Sequence, residues 1–153
     1  MATGNENASP APAGRTDPYR AYNFRLEMGG TTCHFAECSG LRAKVPSIAY
    51  REGGDAQMVR RLPGSVEWGD ITLRYGLTNS TELWNWFQTS VRGRVERRLV
   101  QIVVLDVDGT TPVVQWNLTN AWLSEWNGAL LNAQSREVAI ESMTLVFESL
   151  ERA

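Results

Sequence analysis

Short runs in which every second residue is apolar recur along most of this chain, and they restrict it to a β-rich fold. Tyr22, Phe24, Leu26 and Met28 share one face of an extended segment, while Asn23, Arg25 and Glu27 share the other. Ile71, Leu73, Tyr75 and Leu77 alternate in the same way with Asp70, Thr72 and Arg74. A third run sets Val114, Trp116, Leu118 and Trp122 against Gln115, Asn117 and Thr119. Neighbouring side chains of a strand point to opposite faces, so each run reads as a strand with one buried and one wet side. Gly29-Gly30 and Asp108-Gly109 supply hairpin turns. Residues 99–107 are apolar on both faces and predict a central strand. Two shorter runs, at 31–37 and 45–51, are separated by Ser39-Gly40-Leu41. In the last strand the apolar parity moves from Val138 and Ile140 to Met143, Leu145 and Phe147, which predicts a one-residue bulge near Glu141-Ser142.

One segment has the period of a helix. Leu83, Trp86, Phe87 and Val91 stand at i, i+3, i+4 and i+8, with Trp84 beside them. Asn79, followed three residues later by Glu82, predicts the helix start, and Gly93 its end. The expected fold class is mainly β: an antiparallel sandwich or barrel of about six or more strands, with one amphipathic helix inserted after the fourth.

The 153 residues are the length of one domain. Residues 1–16 are small, polar and proline-bearing with nothing to bury, and read as a flexible arm before a domain at 17–153. The net charge of −2 gives no support to nucleic-acid or membrane-surface binding. Without a long apolar run or a basic-then-apolar N-terminus, folding in a cytoplasm is expected. Every basic residue but Lys44 is Arg, and there are six Trp; both types favour protein interfaces, although genome composition also produces Arg bias.

Between two strand-like runs lies a glycine-flanked, charge-dense segment, read as a loop over 50–64. Arg51, Glu52, Gly53, Gly54, Asp55, Arg60, Arg61, Leu62, Pro63 and Gly64 give it chemistry suited to docking on another protein. The outward residues Arg25, Glu27, Asp70, Thr72, Arg74, Gln115, Asn117 and Thr119 fit either a solvated surface or the wall of a water-filled channel.

Reaction chemistry is hard to assemble from this chain. His34 is the single histidine and sits next to Cys33, where neighbouring strand residues diverge. Cys33 and Cys38, five apart on one expected strand, point to opposite faces and read as reduced packing residues. Asp106 and Asp108 fit turn chemistry better than paired catalytic carboxylates. Gly53-Gly54-Asp55 lacks the sequence of a phosphate loop. No catalytic residue, cofactor or metal site is expected.

A set of short motifs in fixed order then carries a resemblance. They are Asp17-Pro18-Tyr19-Arg20, Asn23-Phe24, Glu37-Cys38-Ser39-Gly40-Leu41, Tyr50-Arg51-Glu52-Gly53-Gly54 and Arg61-Leu62-Pro63-Gly64. Gly69-Asp70-Ile71-Thr72-Leu73, Leu83-Trp84 with Trp86, Trp116-Asn117, Asn120-Ala121-Trp122 and Asn132-Ala133 come next. Glu137-Val138-Ala139-Ile140-Glu141 and Leu150-Glu151-Arg152-Ala153 close the series. In these the chain resembles the tail tube proteins of contractile phage tails and of phage-tail-like extracellular contractile injection systems, which are similar to type VI secretion tube proteins.

The resemblance implies hexameric rings whose sheets join into one inner barrel and stack into a hollow tube. It implies a sheath protein, baseplate or spike, and tape-measure or cap proteins as partners, with protein cargo in the lumen and a membrane only as the pierced target. It implies assembly in a bacterial cytoplasm and use in an extracellular or membrane-anchored particle. The loop over 50–64 would then bridge subunits, and Leu83, Trp84, Trp86 and Phe87 would lie on a helix at a subunit boundary. An adaptor ring between tube and baseplate, or a small ligand- or carbohydrate-binding barrel using its Trp side chains, are the alternatives.

Overall fold

The computed structural model describes residues 23–51, 53, 59–77 and 80–153. The expected arm at 1–16, and Tyr22, Glu52, Gly54, Asp55 and Asn79, lie outside the described residues. The strands are β1 (Phe24–Met28), β2 (Thr31–Cys33), β3 (Glu37–Ser39), β4 (Ala43–Lys44), β5 (Ser47–Tyr50) and β6 (Arg60–Pro63). They continue as β7 (Glu67–Trp68), β8 (Ile71–Gly76), β9 (Arg98–Leu105), β10 (Pro112–Asn127), β11 (Ile140–Val146) and β12 (Ser149–Arg152). One helix, α1 (Glu82–Val91), falls between β8 and β9, so it comes after the eighth strand and not the fourth.

The main sheet runs β2-β1-β9-β10-β11-β8-β3, with β12 also paired to β10, and all its pairings are antiparallel. The 16-residue β10 belongs to two halves: its first part lies between β9 and β12, and its second part pairs with β11. Leu26, Met28, Val100, Ile102 and Leu118 from one half meet Ile71, Leu73, Leu123, Met143 and Leu145 from the other in a single core. Apolar area removed from water at roughly 25 cal/mol per Å² is what holds the two halves together.

Two irregularities in β10 correct the sequence reading. The register with β9 shifts between Leu118 and Ala121, at Asn120 with its positive φ of 52°. The buried parity therefore passes from Val114 and Leu118 to Ala121 and Leu123, and Trp122 leaves the face of Leu118. The second bulge lies between Leu123 and Glu125, across from β11. β11 itself pairs with β8 without interruption from Ile140 to Leu145, so the bulge expected at Glu141-Ser142 belongs to its neighbour. Val138 precedes the strand and is exposed, so there is no parity for β11 to switch.

The hairpins arise from local chemistry. Gly29 and Gly30 take positive φ between β1 and β2, and Gly109 does so between β9 and β10. The Asp108 carboxylate accepts from the Thr111 hydroxyl and from the amides of Thr111 and Thr110, which hold it well below the usual carboxylate range. That is the turn role expected of it. β9 ends at Leu105 with Val107 exposed, two residues short of the expected span.

α1 buries one side chain fully. Trp86 is 1% exposed, its Nε1 donates to the Glu96 carbonyl at 2.7 Å, and the Arg98 guanidinium lies 5.0 Å over its ring. Leu83 and Phe87 pack half-buried against the core, but Val91, 61% exposed, is not part of the inward stripe. It is the last helical residue, and Gly93 (φ 74°) turns the chain away immediately afterwards. Thr81 occupies the N-cap position and its side chain makes no capping bond.

Cys33 and Cys38 fall on two different strands, β2 and β3, which correct the single strand read over 31–37. Both thiols are free. Burial pushes the Cys38 thiol up to about 11 from its ordinary 9.0. In a Cys33→Ser chain, where Cys38 alone reports, maleimide labelling at pH 8 is expected to run about a hundredfold slower than for free cysteine. Equal rates would show that the β3–β8 edge opens freely. The proton leaves more easily from the unfolded chain, so the stability from keeping Cys38 neutral is full below 9.0 and lost as pH rises through about 11.

Candidate assembly interface

The charge-dense segment is not a loop along its whole length. Ser39 pairs with Thr72, Ala43 with Trp68, Lys44 with Glu67, and Ser47 to Tyr50 with Pro63 to Arg60. These pairs form one ribbon that continues β3 and β8 beyond the sheet. Its root is pinned by close backbone contact: a Cβ on Gly40 (φ 94°) would stand 2.1 Å from the Asp70 carbonyl oxygen. The Gly64 amide donates to the Pro46 carbonyl at 2.7 Å part-way along.

At the tip, cross-strand register puts Ile48 opposite Leu62 and Tyr50 opposite Arg60, all on one face, while Ala49 and Arg61 share the other. All eight residues of β5 and β6 are exposed. Arg51, Gly53, Arg60, Arg61, Leu62 and Pro63 are therefore open at the tip, and Gly64 begins the return. Among the described residues, then, both faces of this two-stranded tip are open to solvent.

The opposite end of β8 carries a second exposed apolar feature. Leu130, Leu131 and Val138, at 89, 79 and 76% exposure, stand in the connection between β10 and β11. With Arg74, Glu137 and Ile140 they line a concavity of about 770 Å³. Nearby, the exposed Trp84 packs edge-on against Trp126 at 5.0 Å between centroids. Trp84 is thus the member of the helix quartet open to a partner, whereas Trp86 serves its own core. The Leu130-Leu131 pair between Gly128 and Asn132 was a visible signal of this site, since two successive apolar residues in a turn-rich loop have no core to enter.

The residues expected to face a channel divide between two faces. Arg25, Glu27, Gln115 and Asn117 share the outer face of β1, β9 and β10, where Arg25 pairs with Glu27 at 3.1 Å and Gln115 donates to Asn117 at 2.8 Å. Thr119 sits beside the β10 irregularity, opposite Ser149. Thr72 and Arg74 lie on β8, on the outer face shared with Ser39, Ser142 and Thr144. Arg74 pairs with Glu37 at 3.7 Å. Asp70 precedes β8 and belongs to the ribbon root.

Among the described residues no three His, Cys, Asp or Glu side chains gather as a metal site, and no helix is long and apolar enough to cross a membrane. What stands out is contact chemistry: a ribbon, an apolar concavity and unpaired strand edges.

A family model for the T4-like virus tail tube protein gp19 matches residues 20–151. The chain belongs to this tail tube family. It is a tube subunit, and the family's role is structural. Among solved structures it is similar to a chain of an extracellular contractile injection system, the PVC sheath-tube complex in its extended state. That match has 27% identity, a TM-score of 0.81, and covers 89% of this chain and 91% of the other. The terminating cap of the anti-feeding prophage tube shares the fold at TM-score 0.85 and 24% identity, over 96% and 98% of the two chains. Hcp1 from Flavobacterium johnsoniae shares it more distantly, at TM-score 0.60 and 15% identity over 85% and 94%. No curated protein matches. The tube subunit combines a packed sandwich with a two-stranded ribbon that reaches beyond it.

Proposed function

We propose that copies of this tube subunit close into hexameric rings by pairing strand edges, and that the rings stack into a hollow conduit inside a contractile sheath. The observation that carries this is the similarity along most of the chain to the subunit of a sheath-tube complex, at 27% identity. The edges are consistent with it: among the described residues, β2, β3 and β12 each have one unpaired side. Exposed edges invite pairing with other chains, and a head-to-tail contact that closes makes a ring. A baseplate at one end and a cap at the other would complete the assembly, with cargo in the lumen.

The subunit's work is mechanical. Covalent chemistry has no part in it: the tube is pushed by its sheath through a target membrane, and its strength comes from many repeated contacts. Negative-stain imaging of concentrated protein tests the reading. Annuli with six-fold symmetry are expected; chains that stay single at every concentration would overturn it.

A further inference from the structure

One concave surface shares no residue with the ribbon, the Leu130-Leu131 concavity or the strand edges. Asn85, Gln88, Thr89 and Arg92 follow one another along α1 and its C-cap at i, i+3, i+4 and i+7, the spacing of a single helix face. Gly93, with φ 74°, then reverses the chain, and the Arg94 amide donates to the Thr89 carbonyl at 2.9 Å. Arg94 is thereby laid beside the helix it has just left, and the five residues line a cleft of about 410 Å³. The wall is fixed from behind: the Thr89 hydroxyl donates to the Trp86 carbonyl at 2.6 Å and accepts from the Glu96 amide at 3.2 Å.

We infer that this cleft binds an acidic segment of another protein, one that carries neighbouring carboxylates with an apolar residue beside them. No carboxylate lines the cleft, and neither Arg92 nor Arg94 has an ion pair among the described residues. The next two guanidiniums along the chain are already engaged. Arg97 pairs with Glu148 at 3.9 Å, and Arg98 pairs with Glu96 at 3.2 Å while it covers the Trp86 ring. Attraction to a helix C-terminus accounts for a cation at Arg92, but it leaves free the forked donors with which a guanidinium grips a carboxylate. Two like charges held at one cleft repel each other, a cost that a bound anion removes. The Gln88 side chain has no hydrogen bond among the described residues, so its amide can both donate to and accept from a peptide backbone. That favours protein over nucleic acid, whose phosphates take donors alone, in a chain of net charge −2. Trp84 and Val91, 41 and 61% exposed, stand four residues before and three after Gln88 on the adjoining strip of the helix. Trp beside Arg is the pairing of residue types that dominates binding energy at protein interfaces, and it gives the partner's apolar residue a place to rest.

The test titrates the full-length chain into a fluorescein-labelled peptide, Gly-Leu-Glu-Glu-Leu-Glu-Glu-Gly, and follows its anisotropy. Binding is expected with a Kd below about 1 mM, weakening about tenfold as NaCl rises from about 50 to about 500 mM. Arg92→Glu and Arg94→Glu should each weaken it about tenfold or more with unchanged thermal melting, and Trp84→Ser, kept below its melting range, about threefold. Arg136→Glu makes the same change in net charge at an exposed position outside the cleft, and should leave the affinity as it was. Equal losses from reversing Arg92, Arg94 and Arg136 would overturn the inference by reducing it to general charge attraction. No binding of the peptide, an affinity unmoved by the two cleft reversals or by Trp84→Ser, or equal binding of a peptide with Lys in place of Glu would overturn it as well. Tighter binding of a thymidine oligonucleotide of about the same length would do so by giving the cleft to nucleic acid. The outcome is separate from ring formation, since a chain that stays single can be titrated in the same way.

Discussion

Trp86→Ala is expected to cost about 3–5 kcal/mol of folding stability, the usual range for truncating a buried Trp. The side chain lies in the core beside Leu83 and Phe87 and fastens α1 to the segment that leads into β9. Its indole donates to the Glu96 carbonyl, its own carbonyl accepts from the Thr89 hydroxyl at 2.6 Å, and that hydroxyl accepts from the Glu96 amide at 3.2 Å. Alanine leaves a cavity, an unmet carbonyl and an Arg98 guanidinium without its ring. For a domain whose whole stability is of order 5–15 kcal/mol, that is a large share. A thermal melt measures it: at this chain length each kcal/mol moves the midpoint by roughly 2–4 °C. A midpoint within about 2 °C of the parent would mean the helix is not anchored through Trp86. Trp86→Phe should recover part of the loss, because it refills most of the volume and forfeits only the indole donor.

The second large effect is expected at Gly40. Its φ of 94° is a conformation that side-chain-bearing residues rarely adopt, and a methyl there would overlap the Asp70 carbonyl. The left-handed backbone alone costs about 1–2 kcal/mol, and the overlap adds to it because neither partner is a flexible side chain. Gly69 across the ribbon is similarly tight, with Arg42 Cβ at 2.8 Å from its own would-be Cβ. Gly40→Ala should therefore shift both backbones at the point where the ribbon leaves the sheet. The expected outcome is a destabilised but folded body whose rings stack poorly, seen as a lowered melting midpoint together with shortened filaments. An Ala variant with parental melting and normal filaments would show that the root is not constrained as described.

The parts of this fold that were legible in the sequence are the parts that bury something. β1 and β8 announce themselves because Leu26, Met28, Ile71 and Leu73 must face a core. The helix does so because Leu83, Trp86 and Phe87 share one side. The run at 45–51 holds β5, but the returning half of the ribbon escaped as structure because it has no interior: Arg60, Arg61, Leu62 and Pro63 are all exposed, and proline reads as a strand breaker. Its exposure was still visible, since charges and glycines without a core suit a surface. The irregularities of β10 were hidden for another reason. A positive φ at Asn120 and an extra residue at Leu123-Glu125 change the facing of side chains without changing their character. The concavity joins Arg74 to residues some sixty positions later, a juxtaposition that periodicity does not report, although Leu130-Leu131 hinted at it.

The register of the ribbon has a mechanical corollary. Antiparallel hydrogen bonds run perpendicular to the strands they join. The pairs from Ser39–Thr72 out to Tyr50–Arg60 lie one after another along the projection, so a pull directed along it is carried by two covalent backbones side by side while the bonds between them hold the register. A doubled strand of that kind resists tension far better than a single one, which suits a shaft that must be thrust without coming apart.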